Sequence, residues 1–179
     1  MIQQPERWRR CRKSAGCCRG FVFLACIFLC GPAGAAEHDN DEQLFINTHQ
    51  EKVVDCLRQI HLHAMTKHDR FLILASASQH YVQCLYHDND TRIYCEASNG
   101  TYGPNGRLPL ADDAIALIKK SGFEDTPEKN FNLDLPFGGN EDYSHIANLM
   151  LQTIHTLYRP GVDYIEMKAP FCGQSMIVS

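Results

Sequence analysis

Apolar residues recur at Ile46, Val53, Leu57 and Ile60, close to 3.6 residues per turn, while Lys52, Asp55, Arg58 and Gln59 fall mostly on the other side. This pattern predicts an amphipathic helix ending around His63, with Cys56 at the edge of its buried stripe. Residues 37–46 before it are polar and acidic and read as a loose lead-in. The period then changes. Residues 71–77, Phe-Leu-Ile-Leu-Ala-Ser-Ala, predict a first strand that is apolar on both faces and so the most covered. Residues 81–86 and 91–98 are rich in β-branched and aromatic types and flank a polar linker, which predicts a hairpin turning at Asn89 and Asp90. A two-residue turn there pairs Asp88 with Thr91, Tyr86 with Ile93 and Cys84 with Cys95. Residues 78–79 carry the chain from the first strand into the hairpin.

Beyond the hairpin, Asn99 and Gly100 mark a bend and residues 104–107 a turn. Pro109 opens a short helix with Ala111, Ala114, Ile115 and Ile118 on one side and Lys119 and Lys120 near its end, and Gly122 stops it. Residues 124–141 are broken by Pro and Gly, but Phe131, Leu133 and Leu135 alternate as in a short edge segment. A longer helix over 142–158 presents Ile146, Leu149, Met150, Ile154 and Leu157, and Pro160 and Gly161 end it. A strand-like piece, 162–167, leads to Cys172. The order of elements predicts an α+β fold: a three-stranded antiparallel sheet with an N-terminal helix and two C-terminal helices.

Composition divides the chain near residue 36. Before that point stand six basic residues (Arg7, Arg9, Arg10, Arg12, Lys13 and Arg19) and one acid, then a ten-residue apolar run over 21–30 and a small-residue stretch. These are the three parts of a secretory signal peptide, with cleavage expected after Ala35 or Ala36. Ten apolar residues fall short of the roughly 17 to 25 that a membrane-spanning helix needs, so no stable membrane insertion is expected after cleavage. Residues 37–179 are expected to form one domain, with 160–179 as a C-terminal extension, in a periplasmic or secreted protein. This part keeps 11 of the 17 basic and 20 of the 21 acidic residues, a formal charge of −9. Such an excess disfavours nucleic acid as a partner.

Four of the nine cysteines, Cys56, Cys84, Cys95 and Cys172, lie in the mature part, and in an exported chain an even set reads as disulfides with three connectivities open. The hairpin register favours Cys84 with Cys95, leaving Cys56 for Cys172. A wider or shifted turn would instead pair Cys95 with Cys56 or Cys172. Catalytic signatures are lacking: no Gly-rich phosphate loop, His-Glu-x-x-His pair, Cys-x-x-Cys or Gly-x-Ser-x-Gly elbow occurs. His61, His63 and His68 do not have ligand spacing and read as helix-end and loop residues, so no metal and no cofactor is expected. Tyr81, Tyr86 and Tyr94 either line a sheet face for a partner or pack beneath a helix.

Residues 81–83 (Tyr-Val-Gln), 95–99 (Cys-Glu-Ala-Ser-Asn), 107–110 (Arg-Leu-Pro-Leu), Leu117 onward to Gly122 and Phe123, and Asn130 with Phe131 before an acidic helix start resemble the TY-Chap family. This bacterial family is related to type III secretion chaperones and YbjN-like proteins, and the resemblance spans about 46–158. It implies a secretion-chaperone-like α/β domain without catalytic residues, whose relatives bind protein clients as dimers. The family's signature falls on Gln83 and on Glu96 through Asn99. With the tyrosines, the candidate partner-binding set is Tyr81, Gln83, Tyr86, Tyr94, Glu96 and Asn99. A leader and four mature cysteines depart from the secretion chaperones and argue against cytoplasmic delivery of effectors. The reading is an exported, non-enzymatic protein-binding domain, a homodimer with an unidentified protein client. The alternatives are a small-ligand binder or enzyme of the cell envelope and a structural envelope protein. An exposed apolar groove rimmed by charge marks the first, and a deep pocket with converging ionisable groups marks an enzyme.

Overall fold

The computed structural model describes residues 33–76, 80–100, 110–125, 130–157, 165–172 and 175–177. The leader up to residue 32 lies outside them, as do the turns at 78–79 and 104–107, Pro109, and the helix stop at 160–161.

The first helix, α1 (Ala33–His63), begins well before its apolar stripe. The polar lead-in is therefore helical, not loose. No Gly or Pro interrupts residues 35–63, and the early turns find a tertiary partner in the last helix, α3 (Asn140–Leu157). Gln152 donates to the Glu42 carboxylate at 2.8 Å, and the Phe45 ring lies 5.4 Å from that of His155. Val53, Cys56, Leu57 and Ile60 are buried, at the recurrence that the stripe predicts. From α3, Ile146, Leu149, Met150, Ile154 and Leu157 all enter the core. Contacts of residue 42 with 152 and of 61 with 143 make the two helices antiparallel.

Among the described residues the sheet has seven antiparallel strands in place of the three expected. They are β1 (Phe71–Ser76), β2 (Tyr81–His87), β3 (Arg92–Ala97), β4 (Glu124–Asp125), β5 (Phe131–Pro136), β6 (Ile165–Lys168) and β7 (Ser175–Ile177), in the order β4-β5-β3-β2-β1-β6-β7. The alternating 131–135 segment is thus not the edge; β4 lies outside it. The additional strands are short, two to six residues; β5 and β6 reach the sheet only through the distant β3 and β1, while β4 and β7 pair locally with β5 and β6.

In the β2–β3 hairpin, Tyr86 faces Ile93 and Cys84 faces Cys95, the register predicted for a turn at Asn89 and Asp90. Thr91 N–H donates to the Asp88 carbonyl at 3.3 Å across that turn. Asp88, Asn89 and Asp90 all have positive φ, 50°, 57° and 65°, and the ladder closes at His87 and Arg92, so the loop spans residues 88–91 and is wider than the two-residue turn expected. Burial in β1, β2 and β3 alternates strictly. β1 is consequently covered on one face, by Leu72, Leu74 and Ser76, and not on both. The short helix α2 (Asp112–Lys120) buries Ile118 but leaves Ala111, its N-cap, exposed. Asp112 and Asp113 at its start and Lys119 and Lys120 at its end complement the helix dipole. Gly122, at φ 95°, ends it with its N–H on the Lys119 carbonyl. No helix among the described residues is long and apolar enough to cross a membrane.

Candidate functional site

Because α1 and α3 both pack on one side of the sheet, the register defines what stands on the other. Phe71 pairs with Leu85 and Ile73 with Gln83 between β1 and β2; Leu85 pairs with Tyr94 and Gln83 with Glu96 between β2 and β3. All six are half-buried, neither in the core nor fully in water. No helix among the described residues lies over this face. Its middle is an apolar band of Phe71, Ile73, Leu85 and Tyr94 crossed by one neutral amide, Gln83. Charge surrounds it. Lys168 meets Glu166 at 2.8 Å along one side. On the other side Arg92 Nε donates to both Asp134 oxygens at 3.1 Å, with His87 Nε2 at 3.0 Å from the same carboxylate. The guanidinium holds the Asp134 carboxyl below the usual carboxylate range.

One corner of the face is a polar clamp. Tyr81 Oη donates to Glu96, and Asn130 Nδ2 donates to the same Glu96 oxygen at 2.9 Å and to Tyr81 Oη at 3.3 Å. Asn99 N–H reaches Asn130 Oδ1 at 3.4 Å, and Tyr81 N–H reaches Ser98 Oγ at 3.1 Å. Burial, then the Glu96 carboxylate, push the Tyr81 phenol well above its usual range. Tyr81, Glu96, Ser98 and Asn99, chosen from the sequence for wording alone, thereby tie β2, β3 and the entry to β5 together.

Of the six candidate partner-binding residues, Tyr81, Gln83, Tyr94 and Glu96 share the open face. Asn99 lies just past the end of β3. Tyr86 is a correction: it is 4 % exposed on the helix side, and its hydroxyl donates to the Leu57 carbonyl at 3.2 Å. An even-numbered residue of β2 points away from Tyr81 and Gln83 because side chains alternate. There it joins His61, Phe137 and Tyr143, with the His61 and Tyr86 rings stacked at 5.3 Å and Arg58 Cζ 5.5 Å from the Tyr143 ring centroid. Phe71, Ile73 and Leu85 were missed as members of the face, although the two-residue period carries them there once the covered side is known.

Cys56, Cys84, Cys95 and Cys172 form two bonds in the structure. Cys56 and Cys172 have Cα atoms 5.5 Å apart, inside the usual disulfide span of roughly 4.4 to 6.8 Å, and Cys84 and Cys95 4.1 Å apart, just below it. Among the described residues no group of three or more His, Cys, Asp or Glu could hold a metal ion. A cavity of about 220 Å³ beside His80, Asp113 and Thr156 is smaller than the roughly 300 to 1,000 Å³ usual for small-ligand sites. The open face can offer apolar contact, the Gln83 amide and a charged rim, all means of binding.

The family model described as T3SS (YopN, CesT) and YbjN peptide-binding chaperone 3 matches residues 48–163. No curated protein and no solved structure matches the chain.

Proposed function

From the premise that this chain belongs to the TY-Chap3 family of peptide-binding chaperones, we propose that it holds an extended segment of a client protein on the open face of its sheet. The observation that carries this reading is the apolar band of Phe71, Ile73, Leu85 and Tyr94, uncovered by any described helix and bordered by charged residues. A segment laid across it gains by removing apolar surface from water, about 25 cal/mol per Å² before the costs of association. Gln83, at the middle of the band, supplies a donor and an acceptor to a peptide backbone, so that a polar main chain need not be buried unpaired. No catalytic step is part of this role.

Export through the basic, apolar and small-residue leader over 1–36 accompanies the reading, and the four mature cysteines suit an oxidising compartment. N-terminal sequencing of native protein should begin at Ala36 or Glu37, and an intact Met1 on cytoplasmic protein would refute export.

Binding is tested on an array of extended peptides with apolar and basic residues, probed with the wild-type protein and with Leu85→Asp. Wild type should retain a subset of the peptides, and Leu85→Asp should lose them while keeping its circular dichroism spectrum. Equal retention by both proteins would remove the face from the function.

A further inference from the structure

We propose that the Cys56–Cys172 disulfide is a thiol-exchange site, open to a dithiol partner, whereas Cys84–Cys95 is closed to one. The two bonds differ in surroundings. Cys84 and Cys95 are 1 % and 0 % exposed beneath the helices. Cys56 is 3 % exposed but Cys172 is only half-buried, next to the exposed Phe171, and both line a surface groove of about 240 Å³ with Lys52, Asp55, Gln59 and Met167. An incoming thiolate needs a path to one sulfur, and this groove provides it.

Attack falls on Cys172, the more exposed residue of the pair. A bond forms between the incoming sulfur and Cys172 Sγ as the Cys56–Cys172 bond breaks, and Cys56 leaves as a thiolate that takes a proton from water. The Asp55 carboxylate of the same groove is paired with Arg58 at 2.7 Å, which leaves the Lys52 ammonium, one turn before Cys56 on the same side of α1, to favour that thiolate. The second thiol of the partner then displaces Cys172, so the partner is oxidised to its disulfide and the protein is reduced to two thiols. What the bond holds is the segment after β6. β6 itself stays paired to β1 through four residues, with Ile165 and Met167 buried, so exchange frees residues 169–172 from α1 without dismantling the sheet.

The test is timed reduction of the full-length protein by dithiothreitol at neutral pH, with iodoacetamide quenching, peptide mass spectrometry and circular dichroism in parallel. Cys56 and Cys172 should be alkylated on the order of tenfold or more faster than Cys84 and Cys95, with the helical signal kept. A shared time course, or earlier labelling of Cys84 and Cys95, would overturn the proposal. As a second measurement, Cys56→Ser incubated with oxidised glutathione should form a mixed disulfide at Cys172; a Cys172 that stays unmodified in the folded variant would also overturn it.

Discussion

Cys84 of β2 and Cys95 of β3 stand directly opposite one another on the helix-covered side of the sheet, with Cα atoms 4.1 Å apart. Ser98 N–H donates to the Tyr81 carbonyl, so counting along the ladder makes the cysteines a non-hydrogen-bonded pair, the closer of the two antiparallel spacings. A bond at this point locks the hairpin register, since a slip by one residue would turn every side chain of the strand over.

The two disulfides should differ in what they add to stability. Their partners are 11 and 116 residues apart, and the chain-entropy model gives about 3 kcal/mol for the short loop and about 5 kcal/mol for the long one. Denaturant titration of Cys84→Ala/Cys95→Ala and of Cys56→Ala/Cys172→Ala should rank them in that order. Non-reducing proteolysis with mass spectrometry checks the pairing itself, and a peptide linking Cys84 to Cys56 or Cys172 would contradict it.

Glu96 is the common acceptor of the corner clamp. In Glu96→Ala the Tyr81 hydroxyl and the Asn130 amide lose their shared partner in a half-buried site, a cost of about 1–3 kcal/mol. Tyr81→Phe removes one donor and should cost about 1 kcal/mol. Urea melts of both variants measure the difference, and a neutral Glu96→Ala would show that water replaces the clamp.

Stability should fall in alkali. Burial raises the phenols of Tyr81, Tyr86 and Tyr143 above their ordinary value near 10. Above pH about 10 the unfolded chain releases these protons while the folded protein retains them, so unfolding gains with rising pH. Below that value these three groups contribute no pH dependence. Thermal melts between pH 8 and 11.5 should show a plateau and then a decline, and Tyr86→Phe should make the decline shallower.

Multi-angle light scattering at micromolar concentration should report about twice the monomer mass. A homodimer, expected from the family resemblance, is a symmetric pairing and so closes on itself. A monomer across a wide concentration range would rule it out.

Much of the scaffold was legible from local pattern. The apolar face of α3, the Gly122 stop and the hairpin register each depend on residues close in sequence, where helical period, a left-handed glycine or a short turn leaves few alternatives. The start of α1 was not legible, because residues 37–43 are polar and nothing local ties them to a helix. Gln152 and His155, more than 100 residues later, supply the partners. The strand count failed for a related reason: β4, with two residues, and β7, with three, are too short to display a period.

The same division separates the candidate site from its scaffold. Alternation alone determined that Tyr81, Gln83 and Leu85 share one side of β2 and that Tyr86 takes the other, and the turn at Asn89 and Asp90 determined that Gln83 faces Glu96. Which side met water was decided only by tertiary structure. A strand carries two faces of comparable apolar content here, Leu72 and Leu74 against Phe71 and Ile73, and the side that receives α1 and α3 becomes the core because burial of apolar area is non-directional and rewards whichever face is covered.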